Sequence, residues 1–135
     1  MKEESAERSV AEQHRRLDSM FEELLATLRE GDEVGAVRDA FERLREALEA
    51  HIDHEDRLYY PALGTLRPKH RAVLDRLIAA HTGFRTHLDE MAAWLDARDL
   101  AAAERALGAF AGVFAVHEAM EEQLLQDIDA ELSEI

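Results

Sequence analysis

The stretch VGAVRDAFERLREALEAHIDHEDRLYYP, residues 34–61, decides the fold. Its apolar positions advance by steps of three and four: Val34, Val37, Phe41, Leu44, Leu48 and, at the far end, Leu58. That spacing is the inward seam of a packed α-helix. On the same seam, where leucine is expected, stand His51 and Glu55. Burying ionisable groups without a partner costs several kcal/mol. A metal ion supplies such a partner.

Working outward, three more seams of the same kind appear. One runs Val10, His14, Leu17, Phe21, Leu24, Leu28. The next runs Leu74, Leu77, His81, Phe84, Leu88, Met91, Leu95. The last runs Leu100, Ala103, Leu107, Phe110, Phe114, His117, Glu121, Leu124, Ile128. Four helices are implied, over roughly 5–30, 33–60, 68–96 and 100–131. The breaks are Gly31-Asp32, the segment from Pro61 to Pro68, and 96–99, where Asp99 suits the cap of the final helix. Joints this short make neighbours antiparallel, so the expected fold is all-α, an up-down-up-down antiparallel four-helix bundle.

The bundle geometry puts the polar seam positions at one level. Asp32 lies 18 residues after His14 and 19 before His51, while Asp99 lies 18 from both His81 and His117. Both turns belong to the same end of such a bundle, so all four histidines sit about 27 Å from it at 1.5 Å per residue. Glu55 and Glu121 come one turn later on the same faces. Each hairpin thus supplies one lone histidine and one His-x-x-x-Glu, a two-fold internal repeat.

Four imidazoles and two carboxylates able to bridge suit a pair of metal ions about 3.5 Å apart. Mixed imidazole and carboxylate ligation suits iron, manganese or zinc. Iron is the first choice, because a bridged pair with open positions suits dioxygen, peroxide or nitric oxide.

Composition agrees. The chain has 135 residues, read as a single domain over 1–135, with six glycines and two prolines. Its net charge of −14 argues against nucleic acid or anionic membrane as partners. Without cysteine there is neither disulfide nor thiolate ligand. No signal-like segment opens the chain, and no run approaches the roughly 20 apolar residues of a membrane span. A cytoplasmic protein, monomer or homodimer, is the expectation.

The pattern His14, His51-x-x-x-Glu55, His81, His117-x-x-x-Glu121, with the flanking segments HIDHEDRLYYP (51–61) and HEAMEEQLL (117–125), resembles the hemerythrin-like (HHE cation-binding) family. The resemblance covers nearly the whole chain. It implies a hemerythrin-like bundle around a non-haem di-iron centre, oxo- or hydroxo-bridged, that binds oxygen or handles related small molecules. One departure matters: oxygen-carrying members have a further histidine one turn after that of the third helix, where this chain has Arg85. That favours oxidative chemistry, peroxide removal, gas sensing or iron handling over reversible oxygen carriage. A peroxide- or oxygen-dependent di-iron oxidoreductase is the catalytic version. The alternative is a non-catalytic iron- or redox-sensing module read by a partner protein.

Several neighbours are weighed beside the six. Tyr59, one turn after Glu55, could aim its hydroxyl at the site. Arg85 could balance the carboxylates or extend to solvent. His54, off the seam, is a lesser candidate for contact with the metal or its ligands. Glu122 competes with Glu121, which keeps the seam. His87 is expected at the surface, His70 at the bundle end, and Trp94 and Phe41 in the core or an interface.

Overall fold

A computed structural model describes residues 2–31 and 33–133. The long helices are α1 (Lys2–Arg29), α2 (Val34–His54), α4 (Arg71–Asp96) and α5 (Leu100–Ser133). Between α2 and α4 the chain passes through a π-helical turn (Glu55–Tyr59), a short α3 (Tyr60–Leu66) and a 3₁₀ turn (Pro68–His70). Among the described residues there is no strand. In this helical bundle α1 packs against α2 and α5, and α4 packs against α5.

The helix ends obey local chemistry. Gly31 adopts φ +68, a conformation that costs glycine little and closes the turn after α1. Its neighbour Asp32 lies outside the described residues. Asp99 caps α5 as expected, its carboxylate accepting the Ala102 N–H at 3.0 Å.

Pro61 does not end the second helix. The helix runs on to Leu66 and breaks at Arg67 (φ −132, ψ 73), the residue before Pro68, where α conformation is disfavoured. Proline inside a helix removes one backbone donor and crowds the preceding turn. Here the turn just before it is widened, with the Tyr60 N–H bonded to the Glu55 carbonyl five residues back. The widening adds one residue to the turn and rotates the side chains beyond it. Leu58, expected on the seam, is therefore turned out to 64% exposure, and Tyr60 takes the inward place at 1%.

The core divides into two apolar clusters. The larger joins Leu17–Leu28, Val37–Ile52, Phe84–Leu95 and Ala103–Phe114; the smaller joins Tyr60, Leu74, Leu77, Leu124 and Ile128. Between them lies a buried polar layer of His14, His51, Glu55, His81, His117 and Glu121. Phe41 belongs to the large cluster, whereas Trp94 is 42% exposed. One helix, α5, is long and apolar enough to cross a membrane by length and composition, with a mean hydropathy of 1.2 over an 18-residue window. That differs from the expectation that no stretch reaches membrane length, because the helix intersperses a few polar residues among its apolar ones.

Candidate metal centre

All four long helical segments contribute to the polar layer. α1 brings His14, α2 brings His51 with Glu55 at its end, α4 brings His81, and α5 brings His117 and Glu121. Two groups of ligand atoms form, each with its members within 4.8 Å of one another. One is His14, His51, Glu55 and Glu121; the other is Glu55, His81 and His117. Both groups could hold a metal ion, and Glu55 belongs to each.

The carboxylates are split between the two sides. One Glu55 oxygen lies 3.2 Å from His51 Nε2, and the other lies 3.2 Å from His81 Nε2. Glu121 repeats the arrangement, with Oε1 3.2 Å from His14 Nε2 and Oε2 3.9 Å from His117 Nε2. The imidazoles meet in pairs, ring centres 5.6 Å apart for His14 with His51 and 5.1 Å for His81 with His117.

Whether these residues suit a cation is decided by their unsatisfied atoms. All four Nε2 atoms, both oxygens of Glu55 and Oε1 of Glu121 are buried without a hydrogen-bond partner among the described residues. Buried polar atoms are rarely left so. The opposite ring nitrogens are held: His14 Nδ1 by Glu122 at 3.1 Å, His51 Nδ1 by Gln13 at 2.8 Å, His81 Nδ1 by Asp56 at 2.7 Å. A ring whose Nδ1–H is given to an acceptor presents a lone pair at Nε2. Three rings held in this way, the buried Nε2 of His117 beside them and two carboxylates, converging in one buried layer, are a donor set for hard or borderline divalent cations.

Packed this closely, the same groups shift one another's titration. Burial disfavours charge on His14, but Glu121, Glu122 and Glu118 outweigh it and push the imidazole up to about 9. Burial likewise opposes a charge on His81, which Glu55 and Asp56 nevertheless raise. His117 is pushed down to about 4, chiefly by burial. Burial would raise Glu55, yet His51 and His81 hold it below the usual carboxylate range. Glu121 goes up instead, through burial and the neighbouring Glu55.

A family model, the hemerythrin HHE cation binding domain, matches residues 6–128. The chain belongs to this family. No curated protein and no solved structure matches it.

In this hemerythrin-family domain the six seam residues named from the sequence come together, and the neighbours sort differently. Tyr60 donates its hydroxyl to Glu121 Oε2. Burial, Glu121 and Glu55 all raise the Tyr60 phenol above its ordinary value, so it stays a donor. Tyr59 is half-buried, its ring against Tyr60 and His54. His54 is exposed and stacks on Tyr59. Arg85 reaches the layer only at one remove, its guanidinium 3.6 Å from the Asp56 carboxylate that holds His81. Glu122 does not replace Glu121 but holds His14 from the other side.

Four contributors escaped the sequence reading: Gln13, Asp56, Glu118 and Tyr60. Gln13 and Asp56 each sit one residue from a seam position, where periodicity alone predicts solvent. Glu118 is 6% exposed and lies 3.7 Å from His14 Nδ1; burial, then Asp18, pushes its carboxyl up to about 8. The signal available was the pairing itself, since a buried imidazole ligand needs an acceptor beyond it. His70 falls at the bundle end as expected, whereas His87, expected at the surface, is drawn partly into the core by ring stacking. His70 joins Glu131 at 2.9 Å where α4 begins, and half-buried His87 stacks on Phe110 at 5.0 Å.

Proposed function

We propose that this domain holds two iron ions and uses them to bind or process a small oxidant or gas, whether dioxygen, peroxide or nitric oxide. His14 and His51 would hold one ion, His81 and His117 the other, with Glu55 and Glu121 bridging. The observation that carries the reading is the split of both carboxylates, one oxygen toward each histidine pair. The reading takes the helices as an up-down-up-down bundle. It is supported by cross-helix pairs that run in opposite senses along the chain: Glu23 meets Arg43 while Gln13 meets His51, and Arg38 meets Asp96 while Arg45 meets Asp89.

Bound iron would supply redox chemistry and open coordination positions. The chain's own residues do the rest. Asp56, Gln13 and Glu122 fix the rings so that Nε2 faces inward. Tyr60 holds Glu121 from the small-cluster side, as a donor that keeps its proton. Phe84 stands edge-on to His117, ring centres 4.8 Å apart, and helps keep that side dry. A cleft of about 330 Å³ between α1 and α2, lined by Gln13, Arg16, Leu17, Ala47, His51 and His54, reaches His51 from outside. His51 is the most exposed of the six at 8%. That approach suits a molecule of a few atoms.

The test is metal analysis with a near-ultraviolet and visible spectrum on protein expressed with iron, followed by peroxide and nitric oxide additions. About two irons per chain and spectral changes with either ligand are expected. One zinc, or no metal in a protein that stays folded, would overturn the reading.

A further inference from the structure

Helix α5 carries a surface at odds with the rest of the chain. From residue 106 to 121 every charged or ionisable side chain (His117, Glu118 and Glu121) is buried. The outward positions of this stretch hold only glycine, alanine, valine and methionine. Val113, Val116 and Met120 are 49%, 63% and 38% exposed. In a chain with 34% charged residues and a net charge of −14, such a face is unusual. A groove of about 460 Å³ between α4 and α5 adjoins it, its apolar lining of Val73, Val116, Met120 and Leu124 interrupted by the charged Arg76 and Asp127. Contiguous exposed apolar surface of this kind marks an interaction site.

We propose that this face pairs with the same face of a second copy of the chain, α5 antiparallel to α5 across a two-fold axis at Val116. The argument is self-complementarity. With Val116 on the axis, Gly112 of one protomer faces Met120 of its partner, and Val113 faces Ala119. Large side chains thus oppose small ones, as interdigitating helices require. The same register brings Arg105, exposed at one end of the stripe, opposite Asp127, exposed at the other, and does so twice by symmetry. Two chains of charge −14 repel, and this face lets them meet without opposing carboxylates. Residues 105–127 span about 33 Å. Burying the roughly 800 Å² per partner of a stable pair then needs a width of about two helices, which α5 and the adjoining edge of α4 provide. A membrane surface fits less well, because helices that lie on membranes carry basic flanks and this one is followed by Glu122 and Asp127.

Sedimentation velocity over a concentration series tests the pairing directly, and the chain's lack of cysteine permits a test of register. The full-length protein is expected to dimerise, and Val116→Glu to weaken the dimer by about a hundredfold or more through like charges on the axis. Helix content and melting of that variant should be unchanged, since Val116 is already exposed. Val116→Cys should cross-link to itself on mild oxidation. Arg105→Cys and Asp127→Cys should cross-link when mixed and remain largely uncross-linked alone. A protein monomeric at about 100 µM, a dimer indifferent to Val116→Glu, or the reverse cross-linking pattern would overturn the proposal. So would a monomer that sediments with neutral phosphatidylcholine vesicles through this face.

Discussion

At the scale of single residues, the candidate centre depends on what stands behind each candidate ligand. Asp56 fixes the His81 ring at 2.7 Å and is itself met by Arg85 at 3.6 Å. Asp56→Asn keeps the shape and removes the charge, and groups of this kind typically alter metal affinity by about 10- to 100-fold. A loss within that range is expected in a competition titration with a chelator. A Kd indistinguishable from the parent would show that His81 needs no anchor. Glu55 has a different part, with an oxygen on each side of the layer. Glu55→Ala is expected to abolish binding of two metals per chain, read by metal analysis; retention of both with an unchanged spectrum would remove its bridging role. Tyr60→Phe takes away the donor to Glu121 without changing ring packing. It should cost about 1.5–3 kcal/mol in denaturant unfolding, the range for a hydrogen bond to a charged group.

At the scale of elements, the decisive feature is the π turn at 55–59. It lets a helix with Pro61 near its end continue, and it carries Tyr60 to the face that Glu55 occupies. Leu58 is the residue made surplus by the wider turn, and its side chain is 64% exposed. Deleting Leu58 should restore an ordinary α turn, with Tyr60 four residues after Glu55 and still facing inward. The deletion variant is expected to fold and keep its metal stoichiometry, checked by circular dichroism and metal analysis. Loss of the second metal would mean that the wide turn itself shapes the centre. Elsewhere the elements were readable: three of the four seams fell on buried positions almost throughout, because each is a regular helix with one apolar stripe. The second failed only at its last member, beyond the point where the period changed from 3.6.

At the scale of the whole molecule, the polar layer joins all four long helical segments, so cation binding and folding are linked. Removing metal with a chelator should lower the melting temperature. The pH dependence should differ between the two forms. In chelator-treated protein, Glu118 goes from 4.5 to about 8 and His14 from 6.5 to about 9. Groups raised on folding stabilise fully below their unfolded values and lose that contribution as pH rises through the folded ones. His117, lowered to about 4, acts only in the window below 6.5. The melting temperature of the chelator-treated protein is therefore expected to fall between pH 6.5 and 9. Metal affinity rises over the same interval because the ligands must be deprotonated, so the gap between loaded and stripped protein should widen. Parallel melting curves would break this linkage.

The six inward polar residues and their shared level were legible in the chain alone, because helical periodicity is local and short turns fix relative height. The partners behind the ligands were not. Gln13 and Asp56 lie beside the seams, and only the packing of one helix against the next brings them to His51 and His81. The inward place of Tyr60 has a similar cause: one widened turn rotates every later side chain, and no spacing rule that assumes a constant period of about 3.6 residues can register it.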